Sequence, residues 1–145
     1  MAITSTLCTS FKKELLQGVH NFNKASSPDT FKLALYSSTA SLDASTTAFT
    51  TSGEVTGTNY TSGGATLTLK TGTPTTDGTT AVVDFDPLTF SNVTLTAAGA
   101  LIYNSSDSNK AVCVISFGKD VSASASNLTI TFPSTGASNS IIRLA

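Results

Sequence analysis

Few residues of this chain can do chemistry. His20 is the only histidine, and Cys8 and Cys113 are the only thiols. A general base needs a partner that orients it, and a zinc site needs a clustered set of ligands. One imidazole and two cysteines far apart in the chain supply neither. Asp84 and Asp86 stand two apart, so in a strand both project from one face. Such a pair can serve acid–base chemistry or hold a cation. Asp86-Pro87 is also an ordinary strand-ending turn, and that reading is the stronger. Gly57 and Gly63-Gly64 are not followed by the Gly-Lys-Ser/Thr of a phosphate loop. The expectation is therefore no catalytic residue, no metal, no cofactor and no enzyme.

Residues suited to binding are more numerous. Phe11, Leu15, Val19 and Phe22 fall within an arc of about 80° on a helix. His20 falls about 145° from the centre of that stripe, a surface position beside Leu16. Leu16 also lies off the stripe, so if exposed it could touch another chain. Phe49 and Tyr60 are large aromatics in an irregular stretch, where they either cap a core or anchor a contact with a neighbour. Leu16, His20, Phe49 and Tyr60 are thus the candidate intersubunit contacts.

The elements that must position these residues follow from periodicity. A helix is expected over residues 11–24, with Ser10 as N-cap, Gly18 as a costly interior residue and Ser26-Ser27-Pro28-Asp29 as the break. From residue 31 to 144 the chain reads as strands. Phe31, Leu33 and Leu35 alternate with Lys32, Ala34 and Tyr36, and Ala65, Leu67 and Leu69 alternate with Thr66, Thr68 and Lys70. Ala81, Val83 and Phe85 follow an Asp77-Gly78 turn. Val93 and Leu95 alternate with threonines, as do Leu128, Ile130 and Phe132. The apolar runs 100–103 and 111–115 flank a polar hairpin loop, Asn104 to Asn109. Ile141, Ile142 and Leu144 close the chain.

These signals indicate one mainly β domain over residues 1–145. Its class is an antiparallel β-sandwich or jelly-roll-like domain with one N-terminal α-helix. Residues 37–64 form the main irregular segment, and loops of that length are usually functional or mobile.

Composition narrows the partners. Only 12% of the residues are charged, the net charge is −1, and about a third are Ser or Thr. Weak repulsion between copies permits self-association. The eight basic residues are scattered, so no patch stands ready to displace counterions from nucleic acid. No apolar run reaches the length of a membrane span. The opening Met1-Ala-Ile-Thr-Ser-Thr lacks the basic and apolar regions of a secretory leader, so neither export nor a disulfide between Cys8 and Cys113 is expected.

Several words of the sequence carry a resemblance. They are Lys13–Phe22 (KELLQGVHNF), Asp29–Ser38 (DTFKLALYSS), and the segment with Glu54, Val55, Gly57, Tyr60 and Gly63-Gly64. Ala98–Asn104, Phe117–Asp120 and Ser140–Leu144 extend it over most of the chain. Together they resemble small structural proteins of tailed-phage virions, most closely capsid decoration (cement) proteins. The resemblance implies a protein made in the host cytoplasm and placed on the virion's capsid surface. There it would bind the phage major capsid protein and itself, as a symmetric oligomer such as a trimer, and would stiffen the shell. It brings no catalytic residues. The competing expectations are a tail component, with residues 37–64 as an assembly hairpin, and a carbohydrate-binding module, which the absence of Trp disfavours.

Overall fold

A computed structural model describes residues 2–145. The protein is mainly β, with two antiparallel sheets and one short helix, an arrangement of the β-sandwich type. The strands are β1 (Thr6–Leu7), β2 (Phe31–Tyr36), β3 (Ala65–Thr66), β4 (Thr75–Asp77), β5 (Thr80–Val83), β6 (Leu88–Asn104), β7 (Lys110–Ile130) and β8 (Ile142–Leu144). Helix α1 spans Thr9–Leu16. One sheet has the order β1-β7-β6-β2-β3 and the other β4-β5-β8. A contiguous cluster of buried side chains spans both.

The helix is half as long as periodicity suggests, and the expected run 11–24 is corrected to Thr9–Leu16. Gly18 is the reason. It adopts φ +72°, its N–H bonds the Leu15 carbonyl, and the Val19 N–H bonds the Glu14 carbonyl. That pair of bonds is a Schellman cap, which only a residue at ease in the left-handed region closes cheaply. Gly18 therefore ends the helix instead of weakening its interior. At the other end Cys8, not Ser10, occupies the N-cap position, with no side-chain cap bond. Phe22 still reaches the core, stacked on Phe31 at 4.3 Å, but from the loop after the helix.

The strands around β2 match their alternation, yet both faces are covered. Phe31, Leu33, Ala34, Leu35 and Tyr36 are all buried. β2 pairs antiparallel with β6, from Phe31 opposite Asn104 to Tyr36 opposite Gly99. The expected strand 65–69 pairs with β2 through Ala65 and Thr66, and the Leu67 N–H bonds the Phe31 carbonyl. Its continuation crosses to the second sheet, where the Asp86 N–H bonds the Thr68 carbonyl and the Lys70 N–H bonds the Asp84 carbonyl. Leu67 and Leu69 are buried along that crossing. β4 and β5 form the hairpin announced by Asp77-Gly78. In β5, Val82 and Val83 are buried and Ala81 is exposed.

The largest departure lies in β6 and β7. The expected short strands 93–96 and 100–103 are one strand of 17 residues. The runs 111–115 and 128–130 are parts of another, of 21 residues. The two pair along almost their whole length around the Asn104–Asn109 loop. Irregularities punctuate the ladder. Ser91-Asn92 bulges against Asn127, and Ser124-Ala125 bulges against Thr94. Asn92 (φ +52°) and Ala125 (φ +46°) take the left-handed conformation there. The Asn127 side-chain carbonyl accepts the Asn92 N–H, and the Thr94 hydroxyl accepts the Ala125 N–H. Each strained bulge is thus satisfied by a side chain across the ladder.

Gly64 tests how closely the loop before β3 presses on β2. A Cβ there would meet the Leu33 carbonyl, and φ is already +72°. Gly64→Ala should lower unfolding free energy by about 3 kcal/mol or more, because backbone must shift. Gly18→Ala meets nothing within 4 Å and should cost only about 1 kcal/mol of conformational strain. Urea denaturation of the two variants beside the wild type checks the contrast.

Candidate functional site

The four residues expected to offer contacts occupy different environments. Leu16 is 92% exposed at the end of α1. His20 is not on the surface, and that expectation is corrected. Its residue is 7% exposed, and its ring lies 4.9 Å from that of Phe11. The early end of the helix turns residue 20 back towards the core instead of carrying it around the outer face.

His20 sits in a polar network that the sequence did not announce. Its Nε2 lies 2.7 Å from Glu14 Oε2, and its Nδ1 lies 3.0 Å from Asn104 Nδ2. The same Asn104 amide donates to Asp29 Oδ2 at 2.7 Å, while its oxygen accepts the Ser106 N–H. Since Asn104 nitrogen can only donate, His20 Nδ1 accepts, and the tautomer carries its proton on Nε2, facing Glu14. Glu14 is the carboxylate partner that spacing alone could not place. Both imidazole nitrogens are used inside the chain, tying α1, the loop after it and the end of β6 together.

Tyr60 and Phe49 are half-buried and packed on their own chain. The Phe49 ring stacks on Tyr103 at 4.9 Å, and the Tyr60 ring lies 5.7 Å from Phe90. The Tyr60 hydroxyl accepts the Leu35 N–H at 2.9 Å and donates to Glu54 Oε1 at 2.9 Å. Glu54 also accepts the Ser62 hydroxyl at 2.7 Å and the Gly63 N–H at 2.6 Å. Tyr103 donates to the Gly63 carbonyl, and Tyr36 to the Thr50 carbonyl. Burial, with Glu54 nearby, pushes the Tyr60 and Tyr36 phenols well above their ordinary range. The irregular segment 37–64 is thus neither a hairpin nor loose. Three tyrosines and one glutamate hold it against β2 and β6, and only isolated bridges such as Tyr36 with Glu54 and Thr58 with Thr94 give it β character.

The acidic pair separates. Asp84 is fully buried, with Oδ1 accepting the Ile141 N–H at 2.9 Å, while Asp86 is half-buried at the end of the crossing. Among the described residues, no group of three or more His, Cys, Asp or Glu side chains converges as a metal site. Nor is any described helix long and apolar enough to cross a membrane. Both cysteines are free and buried. Burial raises the Cys8 thiol to about 11, with Asp43 and Glu14 adding to the effect, and raises Cys113 further.

Outward, the chain presents hydroxyls. On the far half of the β6–β7 ribbon Thr89 pairs with Thr129 at 2.9 Å and Thr96 with Ser122 at 2.7 Å, all four exposed. Two apolar concavities interrupt this polar surface. One, of about 490 Å³, is lined by Leu15, Phe22, Val83, Ile142 and Leu144 among others. The second, of about 450 Å³, is lined by Phe117, Val121, Leu128, Ile130 and Phe132 among others. No protein-family model, curated protein or solved structure matches this chain.

Two outcomes follow from this arrangement. Tyr60→Phe removes the hydroxyl that accepts the Leu35 N–H and one donor to Glu54. It should destabilise the isolated chain by about 2 kcal/mol, measurable as a shift in urea midpoint. The thiols should resist a disulfide reagent at pH 8, since roughly one Cys8 in a thousand is thiolate there. Both should react within seconds to minutes once the chain is unfolded in denaturant.

Proposed function

We propose that this chain is a virion structural protein that binds the outer surface of a phage capsid and bridges major-capsid subunits to stabilise the shell. The observation that carries this reading is the resemblance held by Lys13–Phe22, Asp29–Ser38, Glu54–Gly64 and Ser140–Leu144. The geometry is compatible with a mechanical role. His20, Glu54, Tyr60 and Asn104 are bonded within their own chain, and the outward face of the long ribbon is lined by hydroxyls. Such a face suits wet contacts that depend little on salt. Modest affinity per copy is enough when many copies act on one shell.

A tail component is the second reading, now supported by a different segment. Residues 37–64 are bonded onto β2 and β6, but the β6–β7 ribbon is a long hairpin of the kind that ring assembly uses. Quantitative mass spectrometry of separated heads and tails tests both. The capsid reading expects a copy number near that of the major capsid protein in heads, and a lower rupture temperature for shells lacking the chain. A few copies per particle, found with tails, would overturn it.

A further inference from the structure

The far half of β7 is an open sheet edge. β6 occupies one side of Val121–Ile130, while β1 meets β7 only at Cys113 and Val114. Among the described residues, no other segment's backbone bonds to residues 121–130. The stretch carries no charge and no proline, the two usual guards of an exposed edge. Only the Ser124-Ala125 bulge interrupts it. The apolar groove beside this edge is lined by Ile115, Phe117, Val121, Leu128, Ile130 and Phe132. A strand added to the edge would satisfy the open N–H and C=O groups, and its inward side chains would cover the groove.

We propose that the added strand is β7 of a second copy, paired antiparallel about a twofold axis at the Ser124-Ala125 bulge. The bulge decides the register. It brings Val121 and Ala123, on one side of it, onto the same face as Ser126, Leu128 and Ile130 on the other, opposite the buried Ala97, Leu95, Val93 and Phe90 of β6. A twofold axis normal to the sheet keeps that face common to both copies. Val121 then lies opposite Leu128 of the second copy, and Ala123 opposite Ser126, each twice by symmetry. The apolar end of one edge meets the apolar end of the other, and on the outer face Ser122 meets the Asn127 amide of the second copy. No like charges are brought opposite within the paired stretch. An isologous edge of this kind closes as a dimer, not the trimer that the family resemblance implies.

Ten residues span about 33 Å, at the small end of specific interfaces, so a dissociation constant on the order of 100 μM is expected. The proposal deepens the self-association named above, but it concerns the purified chain alone. Its failure would leave binding to shells untouched, and failure of the capsid reading would leave the dimer standing. Sedimentation velocity of the full chain from about 10 to 500 μM should show the mass rising from monomer to dimer. Ser124 is exposed and makes no side-chain hydrogen bond, so S124K should fold and melt as the wild type does while remaining monomeric, its lysines set beside the axis. S124C should form a disulfide-linked dimer under mild oxidation faster than S41C, which places the thiol on a distant exposed residue. A wild type monomeric at every concentration would overturn the proposal. So would an S124K variant that dimerises unchanged, or S41C cross-linking as fast as S124C.

Discussion

Antiparallel pairing of β6 with β7 organises the rest of the molecule. Each added residue of such a ladder gains a backbone bond and a side-chain neighbour, so once the Asn104–Asn109 turn forms, the two strands can zip away from it. β2 then docks on β6, and β1 on β7. The ribbon survives passages that no propensity favours, such as Ala97-Ala98-Gly99 and Ser122 to Ser126, because the opposite strand supplies the missing context. Where the spacing of the two strands disagrees, a bulge absorbs the difference, and a side chain from across the ladder takes the displaced N–H.

With so few charges, the domain is held by hydroxyl and amide bonds more than by ions. Among the described residues, only Lys110 with Asp107 forms an ion pair, while His20, its Nδ1 accepting from Asn104, meets Glu14 through a hydrogen bond. Glu14 and Glu54 each act as the acceptor of a small network that fastens an irregular segment to the sheet. Asp84 holds the returning C-terminal segment through the Ile141 N–H, and Asp77 holds the Ala137 N–H. Buried acceptors of this kind strengthen in a low dielectric, provided that their donors are in place. The long loop can therefore be irregular in outline and still tightly fixed.

Alternation of apolar and polar residues made β2, the β4–β5 hairpin and the β6–β7 turn legible in the sequence. The place of Leu16 off the apolar stripe was legible too, since it needs only helical geometry close to the helix end. The fates of His20 and Tyr60 were not. His20 turns inward because Gly18 closes the helix two residues earlier, and a glycine in a helical pattern does not say whether it interrupts or ends it. Tyr60 meets the Leu35 N–H and Glu54 only because the chain reverses between them, and no local pattern records that meeting.

By itself, then, the sequence determined the class of the fold and the character of its surface. A period of two, abundant hydroxyls and scarce charge act locally, residue by residue. The tertiary structure alone decided where strands join into one long ribbon, which polar groups turn inward, and which edge stays open. Those outcomes depend on what lies across the ladder or across the loop, and such partners are chosen by packing of the whole chain.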